Sequence, residues 1–452
     1  MLARPSPRLA SLLVSVALVG CVGAPTREER SARSDLRATG AMLLAREGRP
    51  ALPVLRPDSP AEVYVRYAVL NHPAVVAAYY DWRASIEDIV PARSLPDPQF
   101  VFQADITHTL SSFMPGLMFD FLGSGKRAAM GREATATSEV ARRNYISVVL
   151  NTAAEARKAW IELAYVEEAA RLKEMSVGAL DRSLAIAGTD YATGRGMGTL
   201  SDQVRIANDL AKIRSELGAL GDRRTAARAR FKSALGLARG DPDLVWPQAM
   251  LAPTAIPSPD ELWQRASAAN PELGKMRTMV EMAIADVEVA RKAGNPDFTL
   301  GTMVDLRTNP TLIRPLGTLN LPIWRDKIAA IRAAAEARRD ASMARYSTEE
   351  LNLAAGLAQM LYMVREADRM IAYIDHGALP NYDRTVATAE AGYQSGTTNA
   401  GMIPETQLMA LSMRMERVGA LRDRENAVTD LMLLTADVAP SGSPMVAAMP
   451  HS

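Results

Sequence analysis

The feature that most narrows what this chain can fold into is that it is written twice. Asn71-His72-Pro73 opens a segment that continues to Ala92-Arg93 and then Pro98-Gln99-Phe100. Asn270-Pro271 opens another, continuing to Ala290-Arg291 and Pro296-Asp297-Phe298, displaced by 198 positions. Tyr191-Ala-Thr-Gly194 is echoed by Tyr393-Gln-Ser-Gly396 at a displacement of 202, and Leu235-Gly236 by Leu434-Thr435 at 199. Internal self-similarity of this kind sets the architecture before any residue is assigned. It divides the chain into a first structural repeat, 60–236, a proline-rich joint, 237–257, and a second repeat, 258–438.

Both repeats share one layout. A helix (62–93 and 260–292) precedes two short β-like segments, and a very long helical run follows (126 to about 187, and 327 to about 391). A glycine-bearing turn and a returning helix of about half that length complete each unit. Val140, Ile146, Val149, Ala153, Trp160 and Leu163 keep helical spacing in the first run, with scarcely a helix breaker. At 1.5 Å per residue, roughly 60 residues make a rod of about 90 Å. Such rods cannot bury themselves in a compact core and must pack along one another as coiled coils. Their many alanines serve close approach, helix propensity or both.

The β-like segments are 98–110 and 113–122 in the first repeat and 296–307 and 315–324 in the second. Phe100, Phe102, Ala104 and Ile106 alternate with more polar residues, as do Phe298, Leu300, Thr302, Val304 and Leu306. Leu319, Leu321 and Ile323 share a face. Period-two alternation gives one greasy and one wet face. Each segment approaches the roughly 9–11 residues of a tilted membrane strand. Four strands cannot close a barrel, since the smallest use about eight, so spanning requires several copies of the chain. The duller alternative is two surface hairpins on a helical protein.

The N-terminus reads as an address. Arg4 and Arg8 precede an apolar stretch over 9–19, and Leu18-Val19-Gly20-Cys21 follows. This is the layout of a signal peptide over 1–20, and its end resembles the bacterial lipobox, in which the cysteine is acylated. Cys21 is the chain's single cysteine. Residues 21–59, with several prolines, read as an extended acylated tether, and 439–452 as a flexible tail. No later stretch has the length of apolar sequence that a spanning helix needs.

Composition removes most other functions. A net charge of +1 supplies no basic field for nucleic acid. One cysteine excludes an internal disulfide framework, and His72, His108, His376 and His451 form no metal-binding pair. No nucleophile–base cluster marks an enzyme. Gly123-Ser-Gly125-Lys126-Arg127 imitates a phosphate loop but has Asp120 where the first glycine belongs and Arg127 in place of Ser/Thr. The methionines Met409, Met413 and Met415 on the last helix fit helix packing better than soft-metal binding.

A lipobox ahead of two repeats, each with helix, two strands, long helix, Tyr-x-x-Gly tip and returning helix, resembles the TolC-like outer-membrane efflux proteins. Further shared details are Asn-Pro opening each repeat (interrupted by His72 in the first), Ala-Arg before a proline-containing strand start, and Leu321-Pro322-Ile323 closing the last strand. The Gly-Lys-Arg segment at 125–127 is similar to relatives that export heavy-metal cations. The resemblance implies a mainly α protein with a small β portion: a helical coiled-coil barrel plus four transmembrane strands per protomer, pooled by a homotrimer into one β-barrel. It implies a lipid-anchored outer-membrane duct without cofactor, whose partners are a periplasmic membrane-fusion adaptor and an inner-membrane pump of RND type. The helical tips (Tyr191, Gly194, Tyr393 and Gly396) would meet the adaptor, and Asp202 and Glu405 are the gate residues in the comparable stretches. An N-terminal capping role competes for both acids. The alternatives are a non-spanning coiled-coil lipoprotein acting as spacer or adhesin, and the duct of a type I secretion system.

Overall fold

The computed structural model describes residues 24–44, 52–106, 110–193, 199–244, 246–247, 252–308, 310–398, 402–441 and 443–444. Cys21, the signal segment, Gly194, His108 and His451 lie outside the described residues.

The expected opening helices are each broken. In the first repeat α2 (Ala61–Asn71) and α3 (Pro73–Glu87) meet at His72, and a short α4 (Ile89–Arg93) follows. In the second, α7 (Pro259–Ala269) and α8 (Pro271–Lys292) meet at Asn270. The cause is the proline that follows, which bars its predecessor from helical geometry. His72 sits at φ −73°, ψ 126° and Asn270 at φ −55°, ψ 126°.

The segment read as an extended tether instead contains a 17-residue helix, α1 (Arg27–Leu43). Thr26 caps it by accepting from the Glu29 N–H. Leu36 and Leu43 bury in the main core, and the Glu29 carboxylate, 1% exposed, pairs with Arg33 at 3.1 Å and Arg93 at 2.9 Å. At the other end, Ser443 is buried, so the start of the presumed loose tail packs against the fold.

Strands β1 (Gln99–Ile106) and β2 (Leu110–Phe121) lead into α5 (Lys126–Thr193), a single helix of 68 residues and, at 1.5 Å per residue, about 100 Å long. The returning helix is α6 (Leu200–Ala234). In the second repeat β3 (Asp297–Asp305) and β4 (Leu312–Asn320) precede α9 (Arg325–Tyr373). This run is not an uninterrupted α-helix as expected. A π-turn, Ile374–Ala378, joins α9 to α10 (Leu379–Gln394). Pro380 lacks an N–H and its ring would strike the preceding turn, and the wider π geometry absorbs both faults. Helix α11 (Met402–Leu434) returns.

Helix α5 is the spine: α6, α8 and α11 pack along it, and α9 packs on α8 and α11. Ala153, Ala156, Ala169 and Ala187 of α5 are nearly inaccessible, so on this rod the alanines serve close approach. The largest core lies where α2 and α3 cross α5 and the end of α6, with Trp82 stacked on Tyr145 at 5.7 Å. Helix α9 differs, since Leu351 is 73% and Tyr373 62% exposed.

The two repeats are fastened alike. Asn71 Nδ2 donates to the Leu235 carbonyl (2.9 Å), and Asn270 Nδ2 donates to that of Leu434 (3.1 Å). Each thereby satisfies a carbonyl left open at the end of a returning helix. Asn270 also caps α8, its Oδ1 accepting from Leu273 N–H at 2.8 Å. In the first repeat that second task falls to His72, whose Nδ1 accepts from Ala74 N–H at 3.2 Å. The inserted histidine thus divides between two residues what one asparagine does later.

Candidate functional site: an amphipathic sheet and two helical tips

The four strands form one antiparallel sheet in the order β1-β2-β3-β4. Register decides which residues share a face. Phe100 pairs with Leu117, Phe102 with Pro115 and Ala104 with Phe113. Phe119 pairs with Leu300 and Phe121 with Phe298, and Phe298 in turn pairs with Leu319 and Val304 with Ile313. Side chains of paired residues lie on the same face, so all of these belong to one continuous apolar surface. On the other face lie Gln99, Gln103, Asp105, Ser112, Asp120, Asp297, Thr299, Asp305, Arg314, Thr318 and Asn320, interspersed with Val101, Leu312, Leu316 and several methionines.

The two surfaces are treated differently by the fold. Phe100 and Phe102 are each 68% exposed and Ile313 66%, so none of the described residues covers the apolar side. The polar side is knitted. Ser112 Oγ donates to Asp305 (3.0 Å), Gln99 Nε2 to Asp120 (2.9 Å) and Lys126 Nζ to Asp297 (2.8 Å). The glycine–lysine segment at 123–126 is explained here. Gly125 takes φ +77°, Gly123 N–H donates to Asp297, and Lys126 pairs with the same carboxylate. Among the described residues β1 and β4 each keep one unpaired edge.

At the opposite end, the tips of the two repeats meet. Thr199 and Asp202 form a reciprocal capping box at the start of α6, Thr199 Oγ1 accepting from Asp202 N–H and the Asp202 carboxylate accepting from Thr199 N–H at 3.1 Å. Arg205, one turn on, lies 3.7 Å from Asp202 and 3.0 Å from Glu405 in the first turn of α11. The two acids singled out from the sequence are therefore bridged by one guanidinium. Tyr393 Oη donates to Asp190 across the same junction at 3.1 Å. Burial and the Asp190 carboxylate both push the Tyr393 phenol up, which keeps it a proton donor. Gly396 ends α10 at φ +72°, and Tyr191 is 54% exposed. Asp190 and Arg205 escaped the sequence reading. Their signal was slight, one beside Tyr191 and the other one helical turn past Asp202.

The methionines of α11 do not gather at a site. Met415 packs with Leu172, Leu411 and Val418, whereas Met409 is 44% exposed. Among the described residues no group of His, Cys, Asp and Glu is placed to hold a metal ion, and no helix is long and apolar enough to cross a membrane.

Residues 262–437 match the family of outer membrane efflux proteins. No curated protein matches the sequence significantly. The fold of most of the chain is that of solved outer-membrane channels. CusC, whose structures concern folding and transmembrane channel formation, shares 14% identity over 86% of this chain and 97% of its own, with a TM-score of 0.71. The Neisseria gonorrhoeae MtrE outer membrane channel shares 13% over 89% and 99% (TM-score 0.71), and the Campylobacter jejuni CmeC channel 13% over 84% and 86% (TM-score 0.69). These are transport channels and not enzymes.

Proposed function

Taking as premise that this chain carries the outer membrane efflux protein family's pattern in its second repeat and the channels' fold over most of its length, we propose that it is the outer-membrane duct of a tripartite efflux pump. The observation that carries the reading is the sheet: one face apolar but for Thr302 and exposed, the other largely polar and hydrogen-bonded, with both outer edges open among the described residues. Exposed backbone edges have no place in hydrocarbon. Three copies, each joining its β4 to the next β1, close twelve strands, inside the range of about 8 to 26 known for such barrels. The uncovered surface of α9, from Leu351 to Tyr373, is then the contact with a neighbouring protomer. The helices form a tunnel on the periplasmic side. Its tips meet the adaptor through Tyr191, Gly194, Tyr393 and Gly396, and an RND-type inner-membrane pump supplies the drive. Acylation of Cys21 anchors the chain, and loss of palmitate labelling in Cys21→Ala tests that point alone. A spacer or adhesin has no use for four amphipathic strands in register.

The tip contacts supply the gate. Arg205 and Glu405 are 47% and 45% exposed, and a pair so wet contributes at most about 1 kcal/mol. A latch that weak, even with Tyr393–Asp190 beside it, yields to a docking partner. Purified protein in planar bilayers should give stable single-channel steps, and Arg205→Ala combined with Tyr393→Phe should raise conductance several-fold. Silence from folded wild-type protein overturns the duct, whereas unchanged currents in the double variant overturn only the latch.

A further inference from the structure

The long helices of the two repeats are not equally partnered. Helix α5 packs on α6 within its own repeat and on α8 and α11 across the repeat boundary. Helix α9, its equivalent, makes its main contacts within its own repeat, with α7, α8 and α11. The row of helices therefore runs α9, α11, α5, α6, and α9 and α6 are its two outer flanks. The seat that α11 takes on α5 has its equivalent on α9, where α6 belongs. Because α6 of the same chain lies at the opposite flank, a second copy must supply it. This inference rests on the duct reading above, in which β4 of one copy joins β1 of the next.

The contact inside the chain tells which residues meet outside it. Leu411 and Val418 of α11 pack on Leu172 of α5, and Arg422 lies over the Tyr165 ring at 4.4 Å. The returning helices are displaced by 200 positions, as Gly236 and Ala436 are at their left-handed ends. The long helices are displaced by 201, as Tyr145 and Asn151 are from Tyr346 and Asn352. Leu172 then corresponds to Tyr373, and Leu411, Val418 and Arg422 to Ala211, Gly218 and Asp222. All four are exposed and belong to longer rows. On α6, Ala211, Ser215, Gly218, Asp222, Thr225 and Ala229 keep heptad spacing, every one short and exposed. On α9, Leu351, Ala355, Ala358, Tyr362, Arg369 and Tyr373 are exposed on the side away from the buried Leu353, Leu357 and Val364.

Two details mark the α6 row as a seat and not a plain wet face. Gly218 lies inside a 35-residue helix, where glycine weakens the helix relative to alanine. Yet a Cβ there would meet nothing within 4 Å, so its own chain gives the glycine no purpose. Asp222 makes no hydrogen bond or ion pair among the described residues, and neither does Arg369 of α9. We propose that α9 of one copy lies along α6 of the next, with Tyr373 seated on Gly218 and Arg369 paired with Asp222. The heights agree. Helix α9 descends from the sheet and α6 returns toward it, so Arg369 lies one turn above Tyr373 and Asp222 one turn above Gly218. The nearby acids of α9 are engaged elsewhere, Glu366 with the Tyr362 hydroxyl and Asp368 with Arg424.

The test uses the full-length, detergent-purified protein. Two differently tagged chains, one with Tyr373→Cys and the other with Gly218→Cys, are co-expressed and treated with a short bismaleimide. They should be joined into a dimer carrying both tags. Tyr373→Cys with Ala229→Cys, about 16 Å off along the helix, should be joined at least tenfold less. Gly218→Leu should leave the single chain folded, because that chain has space there, and should lower the trimer fraction in native mass spectrometry at least tenfold. Arg369→Asp should also weaken assembly, and adding Asp222→Arg should restore it, which a merely misfolded variant would not allow. If wild type assembles and conducts while the 373–218 pair stays unjoined and Gly218→Leu assembles normally, this seat is overturned and the duct reading stands. A wild type that is monomeric and silent overturns both.

Discussion

The joint between the repeats offers the sharpest stability test, because it hangs on one carboxylate. Glu425 of α11 is 3% exposed. It accepts from the Thr254 N–H at 2.9 Å, from Thr254 Oγ1 at 2.6 Å and from Arg424 at 2.8 Å, with Arg157 of α5 at 3.7 Å. Arg424 in turn donates to the Thr254 carbonyl and pairs with Asp368 of α9. One buried network thus ties the joint to the long helices of both repeats. Removing a buried ionic partner costs about 3–5 kcal/mol because the survivors are left uncompensated. Here Arg424 keeps Asp368 and Arg157 keeps Glu62 at 3.4 Å, which moves the expectation to the lower end. What Glu425→Ala orphans outright is the Thr254 backbone donor, at about 1–3 kcal/mol for such a group, while the Thr254 hydroxyl keeps the bond it accepts from Arg157 at 3.2 Å. The expected cost is about 3 kcal/mol, with Glu425→Gln costing about half. Chemical unfolding in detergent reads the total. Limited proteolysis of the joint reads its local opening, which should rise roughly 100-fold, since about 1.4 kcal/mol corresponds to a factor of ten when cleavage follows the open population. If the joint of the Ala variant is cut at the wild-type rate and the unfolding free energy falls by less than about 1 kcal/mol, the clamp described here is not what holds the repeats together.

Two further outcomes concern the repeat ends. Ala436 sits at φ 61°, where the first repeat has Gly236 at φ 72°. Left-handed geometry costs an L-residue about 1–2 kcal/mol, partly offset by glycine's greater freedom when unfolded, so Ala436→Gly should stabilise by about 0.5–1 kcal/mol in chemical unfolding. The reverse change, Gly236→Ala, should destabilise strongly, because a Cβ there would lie 2.7 Å from His72 Cα. The second outcome is pH-dependent. Burial lowers the His72 pKa, and its neutral Nδ1 is the acceptor that caps α3. With the folded value below the unfolded one, near 6.5, the unfolded chain binds the extra proton first. The contribution is therefore full above about pH 6.5 and is lost as pH falls below it. His72→Asn should flatten this part of the stability–pH curve while keeping the cap, and a curve of unchanged slope would show that the slope comes from other groups.

Much of this was legible in the sequence because period and order survive noise. The duplication, the long rods and the alternating strands rest on patterns over many residues, and a few substitutions cannot erase them. What was lost turned on single residues. The breaks at His72 and Asn270 follow from the next proline, a local rule that the long apolar pattern on either side hides. Helix α1 was hidden by prolines flanking it, although Thr26-Arg-Glu-Glu29 carries the start signature of a helix. The tip was half legible. Asp202 and Glu405 stood out as acids near turns, but Arg205 and Asp190, which tie the repeats across the junction, depend on helices roughly 200 positions apart coming side by side. No local pattern encodes such a meeting.

The two open borders of the sheet have a consequence for inheritance. A subunit whose β4 border is damaged spoils its own join and, in a closed ring, leaves the next subunit's β1 border without a mate. If three units are drawn at random from equal pools of sound and damaged chains, about one ring in eight is wholly sound. On the three-copy ring proposed above, a defective allele at Ile313 or Leu319 would thus act dominantly over a good copy in the same cell, although the good copy folds normally.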